Sequence, residues 1–181
     1  MGTPAVTVRE AALGEYAEVG ELTVEAYREY EAAIPGEFWA WYEADLWDIA
    51  GKAELSTILV AEVDGRLAGC VALSGPGTPD RAWPGDWASI RALAVSPAYR
   101  RRGVARALMD ACVARARAWG AAAVGLNSVG FMRAAVAMYE QMGLVHLPEY
   151  EHTGQQSGTL VYAFGLELVP GGLDSGRGAP V

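Results

Sequence analysis

The sequence stretch that points most directly to chemistry is Arg100-Arg101-Arg102-Gly103. That chemistry is the capture of a polyanion. An apolar run of strand length, Ile90 to Val95, leads into it. Ser96-Pro97 ends the run, because proline cannot donate to a β-ladder and turns the preceding residue away from helix. From Val104 the pattern is helical. Cations at a helix N-terminus oppose the macrodipole, each costing a few tenths of a kcal/mol to about 1 kcal/mol. An anion seated between the guanidinium groups and the free amides of the first turn removes that cost. Gly103 has no Cβ, so a phosphate can approach the backbone closely, and Ala105 keeps the next turn small. Arg101, Arg102, Gly103, Val104, Ala105 and Arg106 are therefore expected to form a pyrophosphate cradle with Arg100 at its head. The competing reading is a solvated charge run on a loop.

The flanking elements must position this turn. Val6–Arg9 reads as a short strand and Leu13 to about Ala33 as a helix, with Tyr16, Val19, Thr23, Ala26, Tyr27 and Tyr30 on one face. Pro35-Gly36 stops it, and a second, aromatic-rich helix runs from Glu37 to about Ile49. Leu55–Val63 and Arg66–Ser74 are strands joined at Asp64-Gly65, a strong hairpin signal. Gly75–Asp86 is a Gly/Pro loop expected on the surface with Trp83 at its tip. Trp87–Val95 is the central strand, and residues 103–119 form a helix ended by Gly120. Ala122–Asn127 is a strand that must run parallel to the central one, since a helix connects them. A helix over Phe131–Met142 and strands at Leu144–Leu147 and Thr159–Val169 complete an α/β fold with a mixed sheet. Residues 1–169 are expected to form a single domain and 170–181 a disordered tail.

Composition narrows the function classes. The chain has 181 residues, 52% hydrophobic and 20% charged, as a globular domain requires. No apolar run reaches the roughly 18 residues that span a bilayer, so no membrane partner is expected. The net charge of −8 argues against nucleic acid, which needs a basic face. Yet six of the fourteen basic residues lie between Arg100 and Arg117. An acidic body with one basic seam suits a polyanionic cofactor and leaves room for a cationic substrate. Cys70 and Cys112 read as buried thiols in a reducing cytoplasm, and no Cys/His spacing suggests a metal site. The aromatic content hints at a homodimer without showing one.

Arg100-x-x-Gly103-x-Ala105 following Leu93-Ala94-Val95 resembles the acyl-CoA signature of the GCN5-related N-acetyltransferases. The resemblance runs from about Val6 to Val169 and is strongest over 88–145. There Ala88-x-Ile90-Arg91-x-Leu93-Ala94-Val95-x-Pro97 and Met138-Tyr139-Glu140-x-x-Gly143-Leu144 both look like the family. It implies a mixed central sheet, flanked by helices, in which two parallel strands splay apart. It further implies acetyl-CoA as cofactor, its pantetheine arm pairing with the main chain of Leu93, Ala94 and Val95 as an added strand. The expected reaction is transfer of an acetyl group to the primary amine of a small molecule or peptide.

The resemblance also assigns chemistry. Tyr139 stands where the family places a tyrosine that donates to the leaving thiolate. Full proton transfer from a phenol to a thiolate is uphill by about 2 kcal/mol in unperturbed terms, so a hydrogen bond is the expected contribution. Met132 replaces an asparagine that often touches the cofactor, and would pack against pantetheine instead. The positions where relatives carry a basic carboxylate look like Ser89 and Asn127 here. Glu25, Glu29, Glu149, Glu151 and His152 are the next candidates, and a water chain is equally open. Arg91 either faces the cleft or pairs with a carboxylate. The vacant base positions keep a second reading alive, an acyl-CoA-binding module with weak chemistry. A nucleotide-binding regulator is a third, disfavoured by the absence of Gly-x-x-x-x-Gly-Lys-Ser/Thr and Gly-x-Gly-x-x-Gly.

Overall fold

The computed structural model describes residues 5–79, 82–154 and 157–174. Its elements are β1 (Val6–Glu10), α1 (Tyr16–Tyr27), α2 (Gly36–Trp47), α3 (Ile49–Ala53), β2 (Thr57–Val63), β3 (Arg66–Ser74) and β4 (Ala88–Val95). They continue with α4 (Val104–Ala118), β5 (Ala123–Val129), α5 (Arg133–Gln141), β6 (Val145–His146), β7 (His152–Thr153) and β8 (Leu160–Glu167). The long first helix expected from the periodicity is shorter: 3₁₀ segments flank α1, one turn at Leu13–Glu15 and about two turns at Arg28–Ala33. The second helix breaks at Asp48, whose carboxylate caps α3 by accepting from the Gly51 amide at 2.8 Å.

The chain groups into two compact units. The first holds residues 1–73 and 91–112, the second 74–90 and 113–181, so β4 contributes to both. Strands pair in the order β1-β2-β3-β4 in the first unit and β4-β5-β8-β6 in the second, with β7 beside β8. β1, β2 and β3 are antiparallel; β4 and β5 are parallel, as a helical crossover demands.

In the first unit, Val19, Leu22 and Ala26 of α1 pack on Ile58, Val60, Cys70, Ala72 and Ala94. Gly20 lets α2 approach α1, since a Cβ there would lie 2.7 Å from the Trp47 carbonyl. Thr23 donates to the Val19 carbonyl at 2.7 Å and lies 3.1 Å from the Cys70 sulfur. Gly69, next to Cys70, faces Val104 and Leu108 of α4. Successive strand residues point to opposite faces, so α1 and the start of α4 flank the sheet from opposite sides.

The second unit corrects one expectation. Trp83 is not an exposed loop tip but is 8% exposed. Its ring stacks on Trp87 at 5.6 Å and lies 5.4 Å from Tyr150. Gly125 makes the room, because a Cβ there would fall 2.5 Å from the Trp83 indole. Residues 170–174 of the expected tail form a turn whose Leu173 packs against this aromatic cluster; 175–181 lie outside the described residues. No helix among the described residues is long and apolar enough to cross a membrane.

Candidate functional site

β4 changes character in mid-strand. Its parallel ladder with β5 consists of Ala88↔Val124, Ser89↔Gly125 and Ile90↔Leu126, and ends there. Two residues on, Ala92 sits at φ +51, a left-handed conformation that costs a residue with a Cβ about 1–3 kcal/mol. The twist resets the alternation for the last three strand residues. The Ser96 amide donates to the Ala68 carbonyl at 3.0 Å, toward β3. By the period of two, Ala94 also turns its polar groups toward β3, and Leu93 and Val95 turn theirs to the opposite edge. The Leu93 carbonyl accepts a hydrogen bond from the Tyr27 hydroxyl at 3.1 Å.

The arginine turn follows through a single 3₁₀ turn at Pro97–Tyr99. Arg101 (φ +59) and Gly103 (φ +81) are both left-handed and bring the chain abruptly into α4. Any helix leaves its first four amides without intrahelical acceptors. Here the run is longer. The main-chain amides of Arg101 through Arg106 donate to no acceptor of ordinary hydrogen-bond geometry among the described residues. The first helical bond is Ala107 N–H to the Gly103 carbonyl at 2.9 Å. A Cβ built on Gly103 would meet nothing within 4 Å, so the turn is open to what lies beyond it. Close packing holds the turn from behind. A Cβ on Gly69 would sit 2.7 Å from the Ala94 carbonyl and 2.9 Å from Val104 Cγ1, joining β3, β4 and the first residue of α4.

The guanidinium groups are not equivalent. Arg102 lies over the Tyr99 ring, 5.5 Å from its centroid, a cation–π contact. Arg106 pairs with Asp110 one turn along, at 3.1 Å. Arg100 is engaged by Glu29 at 2.8 Å and by the Ala26 carbonyl at 3.1 Å. Arg101 alone in this turn has no side-chain partner among the described residues. Six unbonded amides and one uncommitted cation make a turn that attracts anions.

In the second unit, Met132 occupies the N-cap position of α5. Its amide donates to Val129 at 2.9 Å and its carbonyl accepts from Ala135 and Val136. Tyr139, two turns along, is 6% exposed, with its ring centroid 6.0 Å from that of Phe164. The candidate bases fare unevenly. Glu29 is held by Arg100 and Glu151 lies 2.5 Å from His146. Ser89 is buried, and the Asn127 amide donates to the Tyr162 carbonyl at 3.4 Å. Glu25 lines, with Glu18, Glu21, Leu22, Leu67 and Ser96, a depression of about 330 Å³ in the first unit. Arg91 is exposed. Sequence reasoning missed Tyr27 as anything but a packing residue; its polar end is what meets β4.

The model of the acetyltransferase (GNAT) family matches residues 18–144. The chain belongs to the GNAT acetyltransferase family. Three solved acetyltransferase structures share its fold. The GCN5-related N-acetyltransferase from Rhodopseudomonas palustris is 22% identical with a TM-score of 0.70, over 93% of this chain and 98% of that one. The ribosomal-protein-S18-alanine N-acetyltransferase from Escherichia coli is 19% identical with a TM-score of 0.66, over 91% and 94%. yncA from Salmonella typhimurium, solved with its cofactor acetyl-CoA, is 19% identical with a TM-score of 0.64, over 98% of each chain. No curated protein sequence matches this GNAT chain.

Proposed function

We propose that this GNAT protein is an acetyl-CoA-dependent N-acetyltransferase acting on a primary amine of a small molecule or peptide. The observation that carries the reading is the run of amides from Arg101 to Arg106 that find no acceptor among the described residues, beside an Arg101 guanidinium with no side-chain partner there. Charge-assisted hydrogen bonds from such a turn suit the diphosphate of coenzyme A. Gly103 leaves the approach clear.

Bound acetyl-CoA supplies an activated acetyl thioester. The chain's own residues do the rest. Leu93 and Val95 offer main-chain groups along the edge of β4 that faces away from β3, and orient the pantetheine amides there, with Ala94 between them anchored to β3. Met132 would pack against pantetheine. Tyr139 would donate a hydrogen bond to the departing sulfur of bound acetyl-CoA. A lysine-like amine is neutral in only about one molecule in 2,500 at pH 7, so its proton must leave by a relay. With Glu29 and Glu151 already paired, ordered water is the simplest carrier. Glu18, Glu21 and Glu25 form no ion pair with a described residue, and their field favours a cationic acceptor. Cys70 and Cys112 are buried and form no disulfide, which fits a reducing cytoplasm.

The lack of a carboxylate at Ser89 and Asn127 favours the second reading, a module that binds acyl-CoA without efficient chemistry. Thiol release from acetyl-CoA over a panel of amines and short peptides separates the two. The enzyme reading expects at least one amine to raise release tenfold or more above hydrolysis. Saturable CoA binding with no amine-dependent release supports the binding module instead.

A further inference from the structure

The motif's first arginine is oriented differently from those that follow. Arg100 points back onto the C-terminal end of α1, and its guanidinium grips Glu29 with both terminal nitrogens. Nη1 donates to Oε2 at 2.9 Å and Nη2 pairs with Oε1 at 2.8 Å. Nη2 also donates to the Ala26 carbonyl at 3.1 Å, one of the carbonyls at the end of α1. A cation is favoured at that place, and the planar fork fits a carboxylate as an ammonium cannot. One residue along from Ala26, Tyr27 makes a second tie by donating to the Leu93 carbonyl at 3.1 Å. The segment 26–29 is thus fastened at two points to the strand end and the head of the anion-binding turn, all within the first unit.

We propose that Arg100 is a positioning residue rather than a phosphate ligand, and that Arg100–Glu29 together with Tyr27–Leu93 couples the end of α1 to the cofactor turn. This rests on the reading of Arg101–Arg106 as the cofactor cradle. The alternative, a phosphate ligand that happens to fold back, requires Arg100 to abandon three hydrogen bonds when a cofactor arrives. Coupling has a direct consequence. Ligation of the turn must reduce the mobility of residues 26–29, even though none of them needs to touch the ligand.

The test uses CoA as probe on the full chain, with titrations at 50 and 300 mM salt and amide hydrogen exchange over 26–33. The variants are Arg100→Gln, Arg100→Lys, Glu29→Gln, Arg100→Gln/Glu29→Gln and, for comparison, Arg101→Gln, each first checked by thermal unfolding. A phosphate ligand and a strut predict opposite patterns. For the strut, Arg100→Gln and Glu29→Gln weaken CoA alike, by about twofold to tenfold. The double variant is no worse than either single, lysine does not rescue, and the salt dependence stays that of the parent. Arg101→Gln, by contrast, flattens the salt dependence. CoA slows exchange over 26–29 in the parent and not in the Arg100 variants. The proposal is overturned if Arg100→Gln flattens the salt dependence as Arg101→Gln does, if lysine restores affinity, or if Glu29→Gln tightens CoA by freeing Arg100. If the parent protein shows no saturable CoA binding, the cradle reading itself fails and the strut falls with it.

Discussion

Replacing Gly69 by alanine tests whether close packing behind the turn is what keeps its amides in place. The added methyl would lie 2.7 Å from the Ala94 carbonyl oxygen, 2.9 Å from Val104 Cγ1 and 3.2 Å from Leu108 Cδ1. Ordinary contact begins near 3.4 Å, so the carbonyl side is short by about 0.7 Å. None of these neighbours is a flexible end: the carbonyl belongs to β4, and Val104 and Leu108 are 1% and 0% exposed. Overpacking of this kind costs about 1–3 kcal/mol, which for a chain of this size lowers the melting temperature by about 2–12 °C. The strain relaxes by moving the start of α4 outward, because the other side is held in the sheet. Losing one charge-assisted amide–phosphate bond costs about 1.5–3 kcal/mol, so CoA affinity should drop by about 10- to 150-fold. Thermal melts and CoA titrations of Gly69→Ala, Val104→Ala and the double variant make the measurement. Val104→Ala removes one of the clashing groups, so the double variant should lose less stability than the two singles together. A Gly69→Ala protein that melts within 1 °C of the parent and binds CoA equally well would refute the packing argument.

Further outcomes follow from the same structure. Tyr139→Phe should lower turnover by about tenfold to a thousandfold while leaving the KM for acetyl-CoA near that of the parent; unchanged turnover removes Tyr139 from the chemistry. Trp83→Ala should cost about 3–5 kcal/mol, seen as a large drop in melting temperature, because the ring fills space over Gly125; a change below about 0.5 kcal/mol would mark a surface residue instead. The Arg9 guanidinium beside Glu15, with help from the Ala12 amide, holds the Glu15 carboxyl down at about 2 against an ordinary 4.5. A carboxyl lowered on folding stabilises fully above pH 4.5, and that contribution fades as the pH falls toward 2. Glu15→Gln should therefore match the parent more closely at pH 2 than at pH 6; solvent screening holds the difference at pH 6 to about 1–2 kcal/mol. Melting curves across pH 2–6 that run parallel for the two proteins would contradict this.

The parts of the fold legible in the sequence were those fixed by local punctuation. Asp64-Gly65 lies between β2 and β3, Ser96-Pro97 ends β4 within a residue, and Gly120 and Gly143 follow α4 and α5 as left-handed stops. The crossover between β4 and β5 gave their parallel pairing, and Val104 was visible as the first helical residue because its spacing changes there. What escaped notice depends on partners distant in the chain. Trp83 sits in a Gly/Pro stretch without periodicity, and only the missing side chain of Gly125, 42 positions later, makes it a core residue. Asp48 was one acidic residue among many until its carboxylate met the Gly51 amide. Ala92 carries no sign of its left-handed backbone, since residue type does not demand it. At the site, the sequence pattern groups Arg100, Arg101, Arg102 and Arg106 into one cradle with Arg100 at its head. The structure divides them by what each guanidinium touches, leaving Arg101 without a partner among the described residues and turning Arg100 toward α1.

The amides of the arginine turn are the proposed seat of the cofactor diphosphate, and amide NMR reads them one residue at a time. In a titration of the ¹⁵N-labelled chain with CoA, the amides of Arg101 to Arg106 should show the largest shifts, saturating together and slowing in hydrogen exchange as they gain phosphate acceptors. Saturable CoA binding that leaves these six resonances in place while others move, or the absence of any binding, would contradict the account.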